Sequence, residues 1–141
     1  MPIRYSINKD AGMIVSVHIG EIADEEFLAT YGALRQEPEF SQQFSMLIDL
    51  RSARSAVRTP AALKALAELA KQTYDEEGKS TRTAIVASED VSFGLGRMYQ
   101  TLCSELPADV GVFRHLDEAI KWLEAPADQI GEMLSDLSPS D

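Results

Sequence analysis

An α/β fold on a mixed sheet of about five strands is what this sequence predicts, and three observations carry the prediction. Two alternating apolar runs near the N-terminus are joined by a short Asp/Gly turn, the pattern of an antiparallel hairpin. Residues 45–50 (SMLIDL) and 83–87 (TAIVA) are short and almost wholly apolar, as expected of strands covered on both faces. Segments of helical periodicity separate these runs, and strand–helix–strand order implies parallel crossovers of right-handed sense.

The elements follow in order. Ile3, Tyr5 and Ile7 alternate with Arg4, Ser6 and Asn8; after Lys9-Asp10-Ala11-Gly12, Met13, Val15, Val17 and Ile19 alternate with Ile14, Ser16 and His18. One face of this hairpin belongs in the core, and the face bearing Ser16 and His18 is the more polar one. Asp24 is placed to cap a helix over 25–35, with Phe27, Leu28, Tyr31 and Leu34 as its apolar stripe. Pro38 stops it. The strand at 45–50 is interrupted near its end by Asp49 and is followed by a polar loop, 51–59. Thr59-Pro60 reads as a cap followed by proline at the first helical position, opening a helix over 60–75. The strand at 83–87, the polar turn 88–92 and a helix carrying Gly94 and Gly96 form the unit around which the chain is organised. A last strand at 110–114 and a helix at 118–124, capped by Asp117, complete a single domain over residues 1–125. Residues 126–141 form an acidic tail. Ile130, Met133, Leu134 and Leu137 stand at helical spacing there, so a weakly held helix and a partly disordered segment are both compatible with it.

Composition narrows the function classes. At 141 residues the chain is long enough to bury one core. Its net charge of −10 argues against nucleic acid or an anionic membrane as the main partner. No apolar run reaches the ~20 residues needed to span a bilayer, and 1–10 lacks the apolar core of a signal peptide. The single cysteine, Cys103, rules out an internal disulfide and fits a reducing compartment, so a cytoplasmic location is expected.

The opening MPIRYSI, the central LIDLR, and AIVAS followed by FGLGRMYQ resemble the SpoIIAA-like group of bacterial proteins, related in fold to the STAS and lipid-binding Sec14 domains. The resemblance runs over residues 1–123, and FGLGRMY is its most specific part. It implies a sheet in roughly sequential strand order with crossover helices packed on it, and it carries no settled activity. STAS relatives that act as anti-sigma-factor antagonists have a phosphorylatable serine in an Asp-Ser-Ser-Gly type turn. Here the corresponding stretch is Ala56-Val57-Arg58-Thr59-Pro60-Ala61, without the aspartate, the serine pair or the glycine. The phospho-switch therefore does not transfer, and Thr59 reads as a helix cap.

Three constellations stand out. Arg51, Arg54 and Arg58, expected in solvent, join Thr59, Ser88 and Ser92 as a candidate anion or acidic-partner site, provided the two loops lie side by side at the strand C-termini. Asp49, inside an apolar strand, needs a partner; Arg97 on the later helix is the candidate for a structural ion pair, with Arg51 the alternative. Gly94 and Gly96, each costing about 0.5–1 kcal/mol in a helix relative to alanine, mark a close approach of the sheet, a second subunit or a ligand. His18 and His115 are not expected to meet, and neither forms a metal-ligand spacing with Cys103. No catalytic grouping, metal site or cofactor is implied. The expected function is that of a non-enzymatic regulatory or protein-interaction domain, a homodimer through the exposed side of the hairpin and the glycine-bearing helix. The alternative is a carrier or sensor for a small anionic or lipid-like ligand, held at the strand C-terminal edge or in a cavity between helices and sheet.

Overall fold

The structure, a computed structural model, describes residues 2–54, 58–78 and 81–138. Five strands form one sheet in the order β1-β2-β3-β4-β5: Ile3–Asn8, Met13–Glu21, Ser45–Arg54, Arg82–Val86 and Asp109–Phe113. The first pair is antiparallel and every later pair is parallel. Strand order equals chain order, so each crossover lands on the neighbouring strand.

The parallel connections place α1 (Asp24–Gln36), α2 (Pro60–Thr73) and α3 (Asp90–Leu102) against one face, where Ile14, Met46, Ile48 and Ile85 meet Phe27, Tyr31, Leu63, Leu66 and Tyr99. On the other face α4 (Leu116–Leu123) packs with α5 (Ala127–Leu137) over Met13, Val15, Val17, Leu47, Ala84 and Val86. Strand β2 therefore supplies both layers. Its polar face does not look outward, as a hairpin with one core face would have it: Ser16 and His18 are buried beneath α1. The reason is that β1, not β2, is the edge, so β2 needs cover on both sides.

The stretch expected as a tail is helical and docked. Ile130, Met133 and Leu134 of α5 are buried against β2, and Arg4 donates to the carbonyls of Leu137 and Ser138 at 3.4 Å. Strand β3 also runs further than expected. Residues 51–54 are strand paired with β2, and of the polar loop read at 51–59, residues 55–57 lie outside the described residues. Two expected caps are absent: α1 begins after Ala23 and α4 after His115, with Asp24 and Asp117 already inside their helices.

Candidate functional site

Beyond Val86, where β4 ends, β3 continues for five more residues along β2 alone. Helices α1, α2 and α3 do not fill the space above this overhang. A cavity of about 50 Å³ lies there, walled by Ile48, Leu50 and Ile85 from the strands and Phe27, Leu63, Leu66 and Leu95 from the helices. Three small residues on its lining, Gly20, Ala53 and Gly96, come from three different elements. The position of Ala53 depends on the register. Between Val17 and Ile19, β2 advances two residues while β3 advances three, from Asp49 to Ser52. An extra residue inverts the alternation of the strand. Leu50 and Ala53 thus both face the cavity, as His18 and Gly20 do on β2.

The floor of the cavity is polar but uncharged. The Tyr31 hydroxyl lies 2.6 Å from His18 Nε2 and 2.9 Å from Ser16 Oγ, all three groups being buried. Burial, reinforced by the nearby Arg58 charge, lowers the His18 pKa to about 3, and burial pushes Tyr31 up to about 12. Both rings are therefore neutral at physiological pH. Phe27 stands edge-on to both, with ring centroids 6.0 Å from His18 and 5.5 Å from Tyr31.

The three arginines expected to act together are separated by their partners. Arg51 points to the opposite face of the sheet, where Nε and Nη2 donate to the Asp49 carboxylate at 2.9 Å each. This settles the partner of Asp49: the ion pair expected with Arg97 is not formed, because Asp49 faces the α4 and α5 layer while α3 covers the other side. Arg97 is exposed on α3. Arg58 was expected in solvent, yet its side chain is only 8% accessible. Its Nη1 donates to Asp24 Oδ1 at 2.6 Å and its Nη2 to the Ile22 carbonyl at 3.0 Å, while the guanidinium stacks 3.9 Å above the Phe27 ring. Thr59 accepts from Ala62 N as the cap of α2 and donates to Asp24 Oδ2 at 2.7 Å. The Thr59 hydroxyl, followed by Arg58, holds the Asp24 carboxyl below its usual range. Arg54 remains. It lines the cavity, is exposed, and has no ion-pair partner among the described residues.

The second loop contributes less than expected. Ser88 is exposed, and its carbonyl accepts from Arg114, which also pairs with Asp90 at 2.8 Å. Ser92 is not in a turn but buried inside α3. The two glycines differ. A Cβ on Gly96 would stand 3.0 Å from Val112 Cγ1 and 3.5 Å from Ile85 Cγ2, so this glycine lets α3 settle onto the sheet. Gly94 faces open space, and neither the sheet nor another part of the described chain approaches it. Gly94→Ala is accordingly expected to raise stability by about 0.5–1 kcal/mol, read as a shift in the urea midpoint. A destabilised variant would mean that a neighbour does approach Gly94. Cys103 is buried, and burial pushes its thiol pKa up. Among the described residues no group of three or more His, Cys, Asp or Glu side chains could hold a metal ion, and no helix is long and apolar enough to cross a membrane.

His18, Tyr31 and Asp24 are site residues that the sequence did not single out. The signals available were a histidine on the polar side of an otherwise apolar strand and a tyrosine within an apolar helical stripe, neither of which names its partner.

A crystal structure of an uncharacterised protein with a SpoIIAA-like fold, from Shewanella loihica PV-4, superposes on this chain with a TM-score of 0.54 at 17% identity. The match covers 86% of this chain and 91% of the other. It is a likeness of fold. No curated protein matches the sequence. The family model described as SpoIIAA-like matches residues 14–124, from the start of β2 to the end of α4 and thus across every parallel crossover. The chain belongs to the SpoIIAA-like family.

Proposed function

We propose that the protein is a carrier or sensor for a small amphipathic anion, its apolar part in the cavity under α1–α3 and its charged end beside Arg54. One observation carries this reading: an apolar cavity at the C-terminal edge of the sheet reaches solvent at an arginine that has no carboxylate partner among the described residues. Open α/β sheets present ligand sites at this edge, and apolar pockets with a few convergent polar groups are the usual form of a small-molecule site. The neutral His18–Tyr31 floor adds a hydrogen-bonding point without a charge.

The regulatory, homodimeric reading loses part of its footing, because the hairpin face it relied on lies under α1. What supports it is the exposed pair Val91 and Met98 on α3.

Native mass spectrometry of freshly purified protein is expected to show a co-purified small molecule. Ala53→Leu, which places three carbons in the cavity, is expected to remove that molecule without lowering the thermal midpoint. Identical ligand-free spectra for both proteins would sink the carrier reading.

A further inference from the structure

We infer that the site selects a singly charged, carboxylate-type amphiphile with a short unbranched chain and discriminates against phosphate esters. The inference rests on the carrier reading and goes beyond it by assigning the charge of the head group and the size of the tail.

The charge follows from counting cations that still lack a counter-charge. Of the three arginines on 51–58, Arg51 is neutralised by Asp49 and Arg58 by Asp24. Among the described residues Arg54 alone lines the cavity without an ion-pair partner. The helix N-termini at this edge hold little reserve of positive potential, since those of α1 and α3 carry carboxylates in or beside their first turns and that of α2 is capped. The carboxylates are Asp24, Glu25 and Glu26 on α1, and Asp90 on α3 preceded by Glu89; the first turn of α2 is closed by the Thr59 cap, whose hydroxyl binds Asp24. Arg97 lies outside the cavity lining. Within the cavity the floor is neutral, and the second arginine on its lining, Arg58, is already paired with Asp24. A monoanion therefore matches the site, whereas the second charge of a phosphate monoester would meet no unpaired cation among the described lining residues. To recruit Arg58, a dianion would have to break a 2.6 Å ion pair, a hydrogen bond to Ile22 O and the stack on Phe27 together.

The size follows from the volume. A cavity of about 50 Å³ has room for several water-sized spheres. That is the room of a short alkyl segment, not of a branched or two-chain lipid. The walls in contact with such a segment are Ile48, Leu63, Leu66, Ile85 and Leu95.

The test is a titration of the full chain at pH 8 with octanoate, octyl phosphate and octanol, followed by two-dimensional NMR. Octanoate is expected to bind about fivefold more tightly than octanol, the gain of one partly exposed charge-assisted contact. Octyl phosphate, a dianion at this pH, is expected to bind no more tightly than octanol. In Arg54→Gln the octanoate affinity should fall to that of octanol while octanol is unaffected. Equal binding of octanoate and octanol by the wild type would overturn the charge assignment and leave the apolar cavity standing. Octyl phosphate binding more tightly than octanoate would overturn the single-charge assignment. If none of the three perturbs the cavity residues, the carrier reading itself fails together with the inference.

Discussion

Between pH 6.5 and 4.5 the wild-type protein is expected to lose about 2 kcal/mol more stability than His18→Gln, the slope approaching about 1.4 kcal/mol per pH unit below the unfolded-state pKa. The sign is fixed by the environment of the ring. His18 is buried under α1, stands against Phe27 and Tyr31, and feels the charge of the Arg58 guanidinium. Burial first, and that charge second, lower its pKa from 6.5 to about 3; Asp49 acts weakly in the other direction. As pH falls, the unfolded chain takes up the proton near 6.5 while the folded chain refuses it down to about 3. The contribution is thus fully present above 6.5, declines steadily below it, and is gone below the folded pKa. Glutamine can still reach the Tyr31 hydroxyl but does not titrate. The carboxylates and the exposed His115 are common to both proteins and cancel in the comparison. Urea unfolding at the two pH values measures the difference. Parallel pH profiles for the two proteins would mean that His18 is solvated in the fold, and with it that the cavity floor is open.

Much of the fold is legible because it rests on local patterns. The alternation of residues 3–8 and 13–19, the apolar runs SMLIDL and TAIVA, and the Thr59-Pro60 cap each declare an element from a few neighbouring residues. The overhang of β3 is not legible. After Leu50 the sequence turns to Arg-Ser-Ala-Arg, which reads as loop, and only pairing with β2 beyond the end of β4 holds it as strand. The site suffers more from this limitation. Arg58 and Asp24 are 34 residues apart, and no spacing rule connects a helix start to a residue after the next strand. The cavity depends on Gly20, Ala53 and Gly96 meeting across three elements, and on an inserted residue that decides which side Ala53 faces. Arginine count suggests an anion site; pairing distances leave one unpaired arginine on the cavity lining among the described residues. The docking of the C-terminal helix is an intermediate case. Its apolar stripe was visible, and so was the uncovered face Met13, Val15 and Val17, but composition alone did not join the two.

Ile130→Ala is expected to destabilise the protein by about 2–4 kcal/mol, although it lies in a segment whose acidic composition reads as a tail. Ile130 is fully buried, and its neighbours in the second layer include Met13, Val15 and Val17 of β2. Removing three carbons there leaves a void against a strand that cannot move, because β2 is paired with β1 on one side and β3 on the other. The cost is therefore that of a core truncation and not of a frayed end. Removal of all residues after 125 should have the larger effect. It would expose the β2 face together with the part of β1 that α5 covers, an apolar surface continuous with a free sheet edge, and such surfaces promote association. The shortened chain is expected to collect as aggregate when the full chain is soluble. Urea unfolding of the point variant and sedimentation of the shortened chain check the two statements separately. A change of under about 0.5 kcal/mol for Ile130→Ala, the range of surface substitutions, would show that α5 is a detachable appendage and that the domain ends near residue 125.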